Sequence, residues 1–93
     1  MKIHSCYDAG DGWADRYTVF FKGRGTLMVN GSIPAVRTRY CLAMSARPFH
    51  PQGVGLHTDG IPGKHNGKRI KFEDLPPECQ QCVNDTLNYQ ENT

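Results

Sequence analysis

The segment of residues 47–67, RPFHPQGVGLHTDGIPGKHNG, most restricts what this chain can fold into. It holds three of the four histidines, three of the six prolines and five of the ten glycines. Proline removes a backbone donor and glycine weakens helix and strand alike, so this spacing predicts neither element but a long ordered loop over about residues 46–68. A chain of 93 residues is one domain, spanning 1–93, with little apolar material to spare beyond its core. In so small a domain an ordered loop of this length is uncommon and usually functional. Its prolines stiffen it, its glycines let it turn, and its polar side chains are left for contact.

The flanking segments read as a sheet and a helix. Lys2 to Tyr7 suits a short first strand, and DAGDGWAD a turn. In RYTVFFKG, Tyr17, Val19 and Phe21 alternate with Thr18 and Phe20, the pattern of a strand. RGTLMVNGSIP carries a further apolar run that ends in the hairpin signal Asn30-Gly31. In the strand that follows, Val36, Thr38, Tyr40, Leu42 and Met44 form a core face, and the other face begins with Arg37 and Arg39. Ile70 and Phe72 suggest a short strand. A helix then starts, with Asp74 or Leu75 as cap, Pro76 and Pro77 in its first turn, and Glu78 at the positive end of its dipole. Cys79, Cys82, Val83, Thr86, Leu87 and Gln90 fall on one stripe of that helix. The expected fold class is α+β: an antiparallel sheet of about four strands, one C-terminal helix packed on it, and the long loop.

No apolar run is long enough for a membrane span, and MKIHSCYDAG lacks the apolar centre of a signal peptide, which leads to the expectation of a cytoplasmic protein with free thiols. Charge is segregated. Residues 36–71 hold seven basic side chains against Asp59, a net of +6, while the rest of the chain sums to −4. That favours an acidic partner for the middle segment. The pI of about 8.4 falls short of the strongly basic footprint of a general nucleic-acid binder.

Four constellations carry possible chemistry. The CxxC of Cys79 and Cys82 has zinc-ligand spacing, but both lie on the apolar stripe and no second pair completes a tetrahedron, so core packing is the better reading. Cys6 and Cys41 supply distant ligands only if the fold brings them together. His50, His57, Asp59 and His65 are metal-ligating or proton-moving types, yet their spacing matches no metal template, and hydrogen bonding within the loop accounts for them as well. No metal or other cofactor is expected. The glycines of GIPGKHNGKR, with Lys64, Lys68 and Arg69, suit a phosphate or carboxylate, although Arg69 stands where a P-loop needs a hydroxyl. Finally, a histidine paired with Asp59 or Cys41 sketches a base and nucleophile, without a nucleophile motif to support a reaction.

MSARPFHPQGVGLH, residues 44–57, and HNGKRIKFEDLPPECQQCV, residues 65–83, together with ADRYTV at 14–19, resemble a group of small proteins carried by bacteriophages and bacterial plasmids. Asn66, Cys82 and Asn84 depart from that pattern. The resemblance brings no mechanism. It implies a mobile-element product acting in the host cytoplasm, a class in which small proteins often bind and block a host enzyme or defence complex.

The expectation is therefore a non-enzymatic binding protein that meets an acidic surface on a host protein through Arg37, Arg39, Arg47, His50, Gln52, His57, Asp59, Lys64, His65, Lys68 and Arg69. The alternatives are a nucleotide- or anion-binding protein, a small His-dependent enzyme, and a nucleic-acid-binding protein. No membrane partner is expected.

Overall fold

The computed structural model describes residues 2–29 and 33–91, with side chains described over 2–22 and 38–89. Five strands, β1 (Ile3–Asp8), β2 (Tyr17–Val29), β3 (Ile33–Met44), β4 (Gly55–Gly60) and β5 (Lys68–Ile70), precede one helix, α1 (Pro77–Glu91). The strands form one antiparallel sheet in the order β4-β3-β2-β1-β5, so the chain is α+β with a single C-terminal helix on the sheet. The two apolar runs read from residues 16–34 are one strand, β2, which pairs with β3 across the expected hairpin; Asn30 and Gly31 lie outside the described residues.

Alternation divides the sheet into two faces. Cys6, Tyr17, Val19, Phe21, Leu42 and Met44 point to the helix, where Leu75, Cys79 and Val83 complete the main core. Phe20, Tyr7 and Cys41 form a second buried cluster on the opposite face. That face is apolar where strand alternation alone predicted a polar one, because another segment covers it.

The cover is the connection from β4 to β5. These strands are consecutive in sequence but occupy opposite edges of the sheet, so residues 61–67 must cross four strand spacings, roughly 19 Å. Seven residues reach at most about 25 Å when extended, and as an α-helix they would span only about 10 Å. The crossing must therefore be extended over much of its length, and it forms a strap with one 3₁₀ turn at Lys64–Asn66. Its path follows from its neighbours. Gly60 sits over the Phe20 ring and the Cys41 sulfur, and Lys64–Gly67 border Thr18 and Ala9 on the face away from α1. Asn66 holds the curve by donating from Nδ2 to the Ile61 carbonyl at 2.9 Å and the Gly63 carbonyl at 3.1 Å. Burying Phe20 beneath the strap contributes about 2–3 kcal/mol by removal of its ring from water.

The segment expected to be a strandless loop over residues 46–68 thus contains a strand. Gly55–Gly60 pairs with β3 along its whole length, from Met44↔Gly55 to Arg39↔Gly60. Its sequence gives no alternation because it is an edge strand exposed on both faces, and the ladder from β3 supplies what propensity does not. The true loop is shorter, residues 45–54, and Ser45 closes it: its N–H donates to the Val54 carbonyl at 2.9 Å, and its Oγ accepts from the Val54 N–H at 3.1 Å.

At the other end, Asp74 does not cap α1 as expected. Its carboxylate accepts from the Lys71 N–H at 3.0 Å and closes a separate 3₁₀ turn, Phe72–Asp74. The helix starts at Pro77, where a missing N–H costs no hydrogen bond. Cys79, Val83 and Thr86 of the stripe are buried and Cys82 and Leu87 half-buried, while the Gln90 side chain lies outside those described. No helix among the described residues is long and apolar enough to cross a membrane.

Candidate functional site

Between the flank of α1 and the edge strand β4 lies a cleft of about 350 Å³, lined by Tyr40, Phe49, His57, Cys82, Asp85, Thr86 and Tyr89. Four separate elements build it: β3 with Tyr40, β4, α1 and the 45–54 loop. In an antiparallel pair, residues opposite each other share a face, so His57, opposite Leu42, and Asp59, opposite Tyr40, stand on the helix side of β4. Cys82, Asp85, Thr86 and Tyr89 follow i, i+3, i+4, i+7 along α1, a row that shares Cys82 and Thr86 with the core stripe and adds the exposed Asp85 and Tyr89. The 45–54 loop brings Phe49 to the rim.

The floor is aromatic. Tyr40 packs against Phe21 at 5.5 Å between ring centroids and against His57 at 5.6 Å, and its hydroxyl is hydrogen-bonded to His57 Nδ1. The rim is exposed, with Phe49 at 55% and Tyr89 at 69% of full accessibility. Burial pushes the Tyr40 phenol above its usual pKa, and the Asp59 carboxylate adds to the shift. Burial likewise raises the Cys82 thiol, with the Asp85 carboxylate contributing. Among the described residues no lysine or arginine lines the cleft. Its field is negative, from Asp59, Asp85 and the carbonyl end of the α1 dipole, whose last turn has no basic residue.

The Tyr40–His57 couple can pass a proton between its members. The cleft's thiol is a poor nucleophile, because burial holds Cys82 protonated. Thr86 is committed to its own helix, donating from Oγ1 to the Cys82 carbonyl at 3.0 Å.

The structure distributes the sequence-derived residues over several places. His57 and Asp59 belong to the cleft. His50, Arg47 and Gln52 line a cavity of about 360 Å³ in the 45–54 loop, where His50 Nδ1 accepts from the Gln52 N–H at 3.1 Å. Lys64 and His65 border a third cavity of about 340 Å³ together with Trp13, Asp15 and Thr18. Lys68 and Arg69 are on β5, at the edge opposite β4. Arg39 is half-buried on β3 and donates to the Lys22 carbonyl at 3.2 Å. Arg37 is also on β3, with its side chain outside those described. The three loop histidines therefore do not converge, and among the described residues no three His, Cys, Asp or Glu side chains form a cation's ligand set.

Of the glycines read as suiting an anion, Gly67 has a structural part in the strap. Gly67 has φ +112° and lies against the Asp8–Ala9 backbone, and its N–H and that of Asn66 donate to the Lys64 and Gly63 carbonyls. Cys79 is fully buried in the main core, where its thiol donates to the Ser45 carbonyl at 3.1 Å and burial pushes its pKa up to about 12. All four cysteines are free.

Sequence reasoning missed Tyr40, Phe49, Asp85 and Tyr89 as a group. The helical spacing of Cys82, Asp85, Thr86 and Tyr89, which runs along the margin of the core stripe and ends in an aromatic, was the available signal.

No family model matches the chain, and comparison with curated proteins and with solved structures likewise gives no match.

Proposed function

We propose that the chain is a small non-catalytic binding protein of the mobile-element kind, and that it holds a host protein along the free edge of β4 and the adjoining cleft. One observation carries this reading: the two edges of the sheet are built differently. β5 is three residues long and carries Lys68 and Arg69, with Lys64 and Lys71 beside it, the charged and short form that discourages further pairing. β4 is six residues long with no lysine, arginine or proline; it exposes Leu56 at 59% on the face away from α1, while on the helix side Phe49 and Tyr89 stand exposed around His57. An unguarded edge with exposed apolar side chains is suited to adding a partner strand, in which backbone hydrogen bonds give affinity and neighbouring pockets give specificity. Occupying a host enzyme or defence complex in this way would block it.

The test is capture from a lysate of a bacterial host with two variants. Leu56→Lys combined with Thr58→Pro should abolish capture, while Lys64→Glu, Lys68→Glu and Arg69→Glu together should leave it intact. The reverse result would favour a second reading, an acidic partner at the β5 edge, which is supported by the gathering of Lys64, Lys68 and Arg69 there. Nucleotide or nucleic-acid binding at the same edge would be recognised by an affinity that falls steeply with salt.

A further inference from the structure

The cleft beside β4 combines two features that single out one kind of occupant. Its rings, Tyr40 of β3, Phe49 of the 45–54 loop, His57 of β4 and Tyr89 of α1, border a shared space, and aromatic faces attract a cation through their quadrupoles. Its charges are all of one sign: Asp85 lines the cleft, Asp59 stands next to Tyr40, and α1 ends beside Tyr89. Asp85 already accepts from Gln81 Nε2 at 2.7 Å, a neutral donor that leaves its charge uncompensated. Arg47, the cation of the adjoining loop, is instead directed to Glu78, at 3.9 Å. At about 350 Å³ the cleft is at the small end of ligand pockets and has room for one long side chain.

We propose that this cleft receives the cationic side chain of a lysine or arginine, presented by an extended partner segment paired with β4. This rests on the strand-addition reading above and adds to it the chemistry of the residue selected. The aliphatic stem of the side chain lies along Phe49 and Tyr89 while its head meets Asp85 and Asp59. An acidic residue at that position is repelled, and a neutral one loses the cation–ring attraction.

The experiment uses the full chain and a set of short Thr- and Val-rich peptides that differ only at the central residue: Arg, Lys, Gln, Leu or Glu. Binding is read by fluorescence anisotropy and by amide shifts in the NMR spectrum. The Arg or Lys peptide should bind roughly tenfold more tightly than the Gln and Leu peptides, the Glu peptide most weakly, with shifts at His57, Asp59 and Asp85. Asp59→Asn with Asp85→Asn should erase that preference, and Phe49→Ala should weaken it, all at exposed positions whose change spares the fold. Equal binding of all peptides, or a preference that survives the double Asn variant, would overturn selection of a cation while strand addition stands. Should no peptide perturb the β4 amides, strand addition and the cation pocket fall together.

Discussion

Gly67 lies against the backbone of Asp8 and Ala9 with no room for a side chain: a Cβ built there would stand 2.6 Å from the Ala9 Cα and closer still to the Asp8 carbonyl oxygen. This approach lets the strap come down beside β1 and turn into β5. It explains a glycine at this position by contact as well as by its φ of +112°.

Gly67→Ala should therefore destabilise the fold by about 3 kcal/mol or more, since backbone cannot yield as a flexible side chain does. Gly10→Ala is the comparison. Gly10 has φ +89° but nothing within 4 Å of an added Cβ, so only conformational strain remains, about 1 kcal/mol. Urea denaturation of both variants measures the difference. Equal losses would mean that the strap does not press on β1.

The buried thiols set a limit on the alkaline side. Burial raises Cys6 and Cys41 to about 11 and Cys79 to about 12, from 9.0. The unfolded chain releases these protons first, so stability is complete below about pH 9 and declines as pH rises toward 11 and 12. Thermal unfolding across that range should show a falling Tm, with a shallower fall in Cys79→Ala. At neutral pH that variant costs about 1–2 kcal/mol through lost packing and the lost bond to Ser45.

On the acid side the sensitive group is Asp8. Arg16 holds it with Nε at 2.8 Å and Nη2 at 3.2 Å, the Gly10 N–H adds a third bond, and its carboxyl is lowered below 3.8, chiefly by the Arg16 hydrogen bonds. A depressed folded pKa gives stability that is present above the unfolded value and lost as pH falls through the folded one. Asp8→Asn should lower Tm at neutral pH and flatten the acid limb of the Tm curve. An acid limb identical to that of the parent protein would remove Asp8 from the account.

The Tyr40 hydroxyl and His57 couple the floor of the cleft to β4. Tyr40→Phe should cost about 1 kcal/mol and increase amide exchange along Gly55–Gly60 more than along β2. Leu56→Lys, at an exposed position, should change stability by no more than about 0.5 kcal/mol. The two together separate the support of the edge strand from its contact surface.

Much of the fold was legible where a residue's partner is close in sequence or where alternation is strong. Tyr17, Val19 and Phe21 against Phe20 already announce two faces, and Cys79, Val83 and Thr86 mark a helix with one buried side. β4 was not legible. Its residues Leu56, His57 and Thr58 are exposed on both faces, so burial leaves no period in the sequence, and pairing with β3 is what makes them a strand. The cleft was half legible: His57 and Asp59 stood out by type, whereas Tyr40 read as core, and Tyr89 gained a place only when the helix was laid beside the sheet edge.

The sequence by itself determined the class: an antiparallel sheet with a C-terminal helix, carried by local periodicity and turn chemistry, which depend only on neighbours along the chain. Strand order belonged to the tertiary structure. By sending β4 and β5 to opposite edges it made residues 61–67 a strap across the sheet, buried a second face over Phe20, and left β4 free beside Phe49 and Tyr89. Those outcomes depend on distances across the sheet, which no pattern along the chain encodes.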